Sequence, residues 1–346
     1  MSQITSMLEG RKLPPLVLDR ACALDLLSKY VYGRTPALTG EVTGTVTATE
    51  SCCGGAGTRE YVDLHFEMDG NPVSFPIVLS SPTINFDRPS RLIVFLNFWA
   101  DIPNRYYPEE LLMRNNFAVA RIYYKEVTDD SDRPDGLGAF VDRTKADAPG
   151  KISLWAFAAS RALDYCLGLG RDYRGLGVVG HSRLGKTALW AGAQDERFDF
   201  VASNCSGCSG AAITRDKIGE NIEHITRVFP FWFCPTYSEY ANREHELPLD
   251  QHLLLSLVSP RMLSVVSASE DSWADPASEY LACCAASPAW EALGRTGFVH
   301  PDRMALYEER FNEGNVGYYF REGTHALTAR DWEAHMSFWN KHRSIW

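Results

Sequence analysis

Six short runs of consecutive apolar residues constrain this chain more than anything else in it. They are RLIVFLNFW (91–99), FAVARIYY (117–124), LGVVG (176–180), FVASNCSG (200–207), RMLSVVSAS (261–269) and the start of VGYYFREGTHAL (316–327). A strand without an alternating polar face must be covered on both sides, which is the pattern of a parallel sheet between two helical layers. The segments between them supply those layers. ISLWAFAASRALDYCLGLG (152–170), SRLGKTALWAGAQ (182–194), HLLLSLV (252–258), ASEYLACCAASPAWEALG (277–294) and DWEAHMSFWNKH (331–342) place apolar residues at helical spacing. Residues 41–80 differ. EVTGTVTATE, REYVDLHFEM and PVSFPIVLS alternate apolar and polar, and the first two are separated by the turn-rich SCCGGAGT. They predict antiparallel strands at one edge of the sheet. The expected fold is a single α/β domain over 1–346, with helices on both faces. Residues 1–40 form an N-terminal arm on its body, and an aromatic-rich insertion at 210–250 shapes a pocket.

The stretch GVVGHSRLGKTALW (177–190) admits two mechanisms. Gly180-x-x-x-x-Gly185-Lys186-Thr187 matches the phosphate-binding P-loop, in which backbone N–H groups wrap an anion and Lys and Thr reach the phosphates and Mg²⁺. The same residues, with Ser182 at the apex of a strand-to-helix turn, match a nucleophile elbow. The interior of the loop, His-Ser-Arg-Leu, holds no further glycine to let a backbone close on a phosphate. Asp101 and Asp271 remain available as Mg²⁺ partners in that reading.

The elbow makes the sharper demand, because an acid and then a histidine must follow, each at the end of a later strand. Asp271 stands just past RMLSVVSAS and His325 in the loop after VGYYF. Glu270 and Asp275 are the rival acids; Asp275 precedes Pro276 and reads equally as a helix cap. Arg183, beside the serine, is placed to steady developing negative charge. Lys186 lies in the first helical turn, where the helix dipole disfavours a cation, so a use other than stability is indicated. His335 and His342 fall in the last helix and read as structural. Trp232, Gln251 and His252 read as packing residues.

The stretch GHSRLGK resembles the G-C-S-R-x-G-K motif of the glucuronoyl esterases, carbohydrate esterase family fifteen. The likeness extends to LWAGAQDERF, SNCSGCSGAA, IGENI, FPFWFC, LPLDQHLLLSLVSPR, EDSWADP and the late Gly-Thr-His, over roughly residues 90–340. The resemblance implies an α/β-hydrolase fold and cleavage of glucuronic acid esters on xylan-derived saccharides through an acyl-enzyme. It implies Ser182 as nucleophile, His325 as base, Arg183 at the oxyanion, and Lys186, Glu220 and Trp273 on the glucuronate. One branch of the family carries its triad acid as a Glu opening Glu-Ser-Gly. This chain has Cys205 there, so the acid is expected at Asp271. A carbohydrate acetyl esterase with the same triad, and a P-loop nucleotide-binding protein, are the alternative readings.

Composition sets the remaining expectations. A net charge of −10 argues against a nucleic-acid partner. No segment is long and apolar enough to span a membrane. Nine cysteines without a disulfide pattern, and no recognisable leader at the N-terminus, predict a cytoplasmic protein, or a secreted one if a leader has been removed. Cys205-x-x-Cys208 lacks the second ligand pair of a zinc site, so neither metal nor cofactor is expected, nor an obligate protein partner.

Overall fold

The strands of the computed structural model, which describes residues 2–84 and 86–342, fall where the apolar runs and the alternating segment predict them, apart from the two-residue β9, which the sequence does not mark. They are β1 (Leu38–Cys52), β2 (Gly57–Met68), β3 (Asn71–Pro82), β4 (Arg91–Asn97), β5 (Phe117–Tyr123), β6 (Leu176–His181), β7 (Phe200–Asn204), β8 (Met262–Ala268), β9 (Arg310–Phe311) and β10 (Val316–Arg321). The helices are α1 (Gln3–Arg11), α2 (Arg20–Leu27), α3 (Glu109–Arg114), α4 (Tyr124–Val127), α5 (Lys151–Gly168), α6 (Arg183–Gln194), α7 (Ile222–Val228), α8 (His252–Ser256), α9 (Pro276–Ala286), α10 (Pro288–Glu291) and α11 (Ala329–Lys341).

One sheet takes the order β1-β2-β3-β5-β4-β6-β7-β8-β10-β9. From β5 to β10 neighbouring strands run parallel, whereas β1, β2 and β3 form an antiparallel flank joined to β5. Successive side chains of a strand point to opposite faces, and the core divides accordingly. Leu92, Val94, Leu96, Val178 and Val201 face the layer that holds α5, α6, α8 and α9. Ile93, Phe95, Val179 and Phe200 face a smaller layer built by α3 and α11, with Trp332, Phe338 and Trp339 prominent. This is the mostly parallel α/β-hydrolase architecture. The flank beyond β3 is thinner. β1 is exposed along nearly all its length and departs from regular register between Thr39 and Thr43 and between Val46 and Ala48.

The arm, which carries no strand pattern, forms α1 and α2 followed by a π-helical turn, Ser28–Tyr32. It is strapped to the insertion. Arg11 donates to the Arg215 carbonyl at 2.5 Å, and Arg215 returns a hydrogen bond to the Lys12 carbonyl. Among the described residues, no helix is long and apolar enough to cross a membrane.

Candidate active site

β6 ends at His181 and α6 begins at Arg183, so Ser182 alone makes the turn between them. Its backbone sits at φ 56° and ψ −128°, a region unfavourable for any residue with a Cβ. Strain of this kind is characteristic of functional sites. Gly180 makes the turn possible, because a Cβ there would stand 1.9 Å from the Leu184 carbonyl oxygen. Gly185 allows the helix to approach Ser206, whose Cβ would lie 3.0 Å from its own. The tightness also removes the phosphate reading. The N–H groups of Gly185 and Lys186 donate to the Ser182 carbonyl at 2.9 and 3.1 Å, and Thr187 Oγ1 is bonded to the Arg183 carbonyl. With the amides of Gly185 and Lys186 spent inside the helix, the loop lacks the row of inward N–H groups that a phosphate needs.

His325 and Asp271 come together from the ends of β10 and β8. Nδ1 of His325 donates to Asp271 Oδ2 at 2.6 Å, leaving Nε2 with the free lone pair. Asp271 is 3% exposed and His325 42%. Burial alone would raise the Asp271 carboxyl; the hydrogen bond and charge of His325 and the Ala274 N–H bring it below the usual carboxylate range. The rival acids are elsewhere: Asp275 caps α9, accepting the Ser278 and Ile218 N–H groups, and Glu270 is exposed. No hydrogen bond joins Ser182 Oγ to His325 among the described residues, as is common before substrate binds.

The loop carrying His325 is pinned by residues that sequence patterning does not single out. Arg321, buried and ion-paired with Asp331 at 2.7 Å, donates to the carbonyls of Thr324 and Ala326 on either side of His325. The Glu270 N–H donates to the Gly323 carbonyl at 2.9 Å, tying the histidine loop to the acid loop. Behind the acid, Glu279 of α9 accepts from Gly207 N at 2.8 Å and from Ser267 Oγ at 2.5 Å. Its complete burial pushes its carboxyl up to about 7, with hydrogen bonds opposing. His181, before the serine, lies 4.5 Å from His325 between ring centroids. Burial, reinforced by His325, pushes its imidazole down to about 3, so it is neutral.

Arg183 lies on an aromatic wall, with its guanidinium 4.5 Å from the Trp232 ring and 5.2 Å from Phe229. Trp232 and Phe229 stack on each other at 3.8 Å. Asp130 holds the arginine: it accepts from Arg183, from Trp232 Nε1 at 2.7 Å and from Tyr124 Oη at 3.0 Å. Asp130 belongs to the acidic loop after FAVARIYY, where no periodicity marks it. Trp232 corrects the packing expectation, because it both packs and lines the cavity. Gln251 and His252 are buried as expected.

Lys186 is buried, donates to the Ser206 carbonyl at 2.5 Å and pairs with Glu220 Oε2 at 3.5 Å. Glu220 and Trp273 come from separate loops that a second lysine joins. Lys217 Nζ donates to the Ile218 and Glu220 carbonyls at 2.5 Å and to that of Trp273 at 3.4 Å. Trp273 is 50% exposed, edge-on to His224.

All seven site residues expected from the sequence line one cavity of about 410 Å³: Ser182, Arg183, Lys186, Glu220, Asp271, Trp273 and His325. Phe229, Trp232, Cys205, Ser206, Gly207 and Ala274 complete its walls. It suits one sugar unit with part of a leaving group, a strained hydroxyl on one side and two cations on the other.

Comparison with known proteins gives one consistent result. The family model described as fungal glucuronyl esterase matches residues 67–294. A carbohydrate esterase of an unknown prokaryotic organism is 32% identical over 92% of this chain and 82% of its own length. A 4-O-methyl-glucuronoyl methylesterase of Podospora anserina is 28% identical over 78% of this chain and 55% of its own. Among solved structures, a glucuronoyl esterase from Solibacter usitatus is 32% identical with a TM-score of 0.84, covering 94% of this chain and 92% of that one.

Proposed function

This chain belongs to the glucuronoyl esterase family, carbohydrate esterase family fifteen, and on that premise we propose how its own residues divide the reaction. It is a serine-type carboxylic ester hydrolase acting on glucuronic acid esters. Ser182 Oγ attacks the ester carbonyl carbon while His325 Nε2 takes its proton. Asp271 keeps the proton-bearing Nδ1 turned inward and stabilises the imidazolium. The carbonyl oxygen becomes an oxyanion beside the Arg183 guanidinium and the free N–H at the start of α6. His325 then returns its proton to the alcohol oxygen, the alcohol leaves, and water clears the acyl-serine by the same steps. Lys186, Glu220 and Trp273 hold the glucuronate, Lys186 and Glu220 through its hydroxyls and Trp273 as an apolar platform.

The observation that carries this reading is the convergence of a strained serine and a bonded His325–Asp271 pair on one cavity with Arg183. The product is a carboxylate, which accounts for a paired arginine and lysine in a protein of net charge −10. We place the enzyme in a reducing compartment, the cytoplasm, a reading supported by nine free thiols and tested by cell fractionation. The test of function is hydrolysis of a methyl or benzyl glucuronate beside an acetylated sugar, with the wild type and Ser182→Ala. The expected outcome is turnover of the glucuronate ester that falls by at least about 10⁴-fold in the variant. Activity confined to the acetyl ester would overturn the division of pocket residues while keeping the triad.

A further inference from the structure

Cys205 takes no part in the reaction just described, yet its thiol lies in the wall of the same cavity. Its sulfur, a carboxylate oxygen of Asp271 and a ring nitrogen of His325 all lie within 4.8 Å of one another. Thiolate, imidazole and carboxylate together are the donor set that selects zinc-like cations and disfavours hard ones such as magnesium. We propose that Cys205, Asp271 and His325 form an inhibitory site for a thiophilic divalent cation of the zinc and cadmium class.

The surroundings favour a cation there. Besides Asp271, the acidic side chains of Glu279 and Asp331 act on the thiol, with Arg321 opposing them. Acidic side chains near the sulfur favour a positive ion beside it. A second cluster, Cys52, Cys53 and Glu109, meets the same distance condition. There Arg59, a permanent cation, already neutralises Glu109 through hydrogen bonds at 2.8 and 3.1 Å, whereas Asp271 is bonded to the ring of His325, itself a ligand of the proposed site, and to the Ala274 N–H.

The balance of the step is simple. The Cys205 S–H bond breaks, its proton goes to solvent, and a metal–sulfur bond forms. His325 lends a ring-nitrogen lone pair and keeps its one proton on the other nitrogen, and Asp271 lends an oxygen. No electron is transferred. The ring so held can no longer accept the Ser182 proton while bonded to Asp271, and turnover stops.

The activity arm of the test rests on the esterase reading; the binding arm does not. Chelator-treated enzyme is titrated with Zn²⁺, Cd²⁺ and Mg²⁺ during methyl glucuronate hydrolysis, using wild type, Cys205→Ala and Cys205→Ser, each normalised to its own metal-free rate. Zn²⁺ and Cd²⁺ are expected to inhibit the wild type, Mg²⁺ to have no effect, and both variants to need about tenfold more metal or higher. In parallel, Co²⁺ is added and the thiolate-to-cobalt charge-transfer absorption is recorded. The band is expected in the wild type and in Cys53→Ala, and its loss is expected in both Cys205 variants and in His325→Ala. The last variant changes an exposed ring, so it keeps the test decisive even if the buried position does not tolerate change. Equal inhibition of wild type and Cys205 variants, or a band that survives Cys205→Ala or His325→Ala, would overturn the proposal. An enzyme with the band but no esterase activity would instead overturn the functional reading alone.

Discussion

The two sides of the cavity are built in different ways. On the nucleophile side, Ser182, Asp271 and His325 each stand at the end of a parallel strand, and what holds them is mostly backbone. Ser182 N donates to the Asn204 carbonyl at 2.8 Å, and Arg321 spends its guanidinium on carbonyls flanking His325. On the opposite wall, Arg183, Lys186, Glu220 and Trp273 are held by side chains and loops: Asp130, the Trp232–Phe229 stack and Lys217. The difference teaches that the reacting atoms inherit their accuracy from the sheet, whereas the recognition wall joins the first turn of α6 to loops that bring Glu220 and Trp273, and only the loop part can be retuned without disturbing the serine.

That contrast can be broken most forcefully at Asp271. Asp271→Asn keeps the shape but no longer fixes the His325 tautomer, and kcat is expected to fall by roughly 10³- to 10⁴-fold with KM little changed. A KM effect of similar size would erase the distinction between the two sides. Arg183→Ala comes next, because the residue spans both: kcat should fall by about 10²- to 10³-fold. Asp130→Asn, which leaves the guanidinium in place but removes its anchor, should lower kcat by about tenfold. Trp273→Ala should behave as a pure wall variant, raising KM by about tenfold at unchanged kcat. A fall in kcat instead would mean that the platform acts on the transition state.

The smallest effect concerns stability and belongs to the nucleophile side. Glu279 has its folded value near 7 against an ordinary 4.5. Between these values the unfolded chain loses this proton first, so the folded state loses stability as pH rises. The full loss, about 3 kcal/mol at most, is present above pH 7 and absent below 4.5. Glu279→Gln removes it. Thermal melts at pH 5 and pH 8 should show the variant gaining on the wild type at the higher pH; parallel melting curves would argue that Glu279 stays ionised throughout.

The nucleophile side was also the more legible in sequence. Runs such as RLIVFLNFW can satisfy their apolar residues only in a doubly covered sheet, and the order Ser182, Asp271, His325 follows from where such strands end. The wall was legible only in part. Arg183 and Lys186 stand out as cations at a helix start, but Glu220 and Trp273 were reached through family resemblance. Asp130 was not reached at all, since its bond to Arg183 spans 53 residues of sequence from a loop without periodicity. Arg321 ends an apolar strand as any boundary residue does, and only the folded loop reveals which carbonyls it serves. Trp232 reads as packing because sequence does not say which face of an aromatic residue borders a cavity. The arm is legible as an arm, but its two short helices are not, because they lack a sustained apolar stripe.

The bulged, threonine-rich β1 bears on how these molecules treat one another in solution. A sheet of ten strands ends in two free margins, and an open margin is a template on which a neighbouring chain can add its own backbone. One margin here is β9, only two residues long. The other is β1, twice out of register and bearing Glu41 and Glu50 on its exposed length. Neither offers a flat, unbroken row of amides, so pairing of one molecule's sheet with another's is disfavoured at the very place where the sheet is least covered.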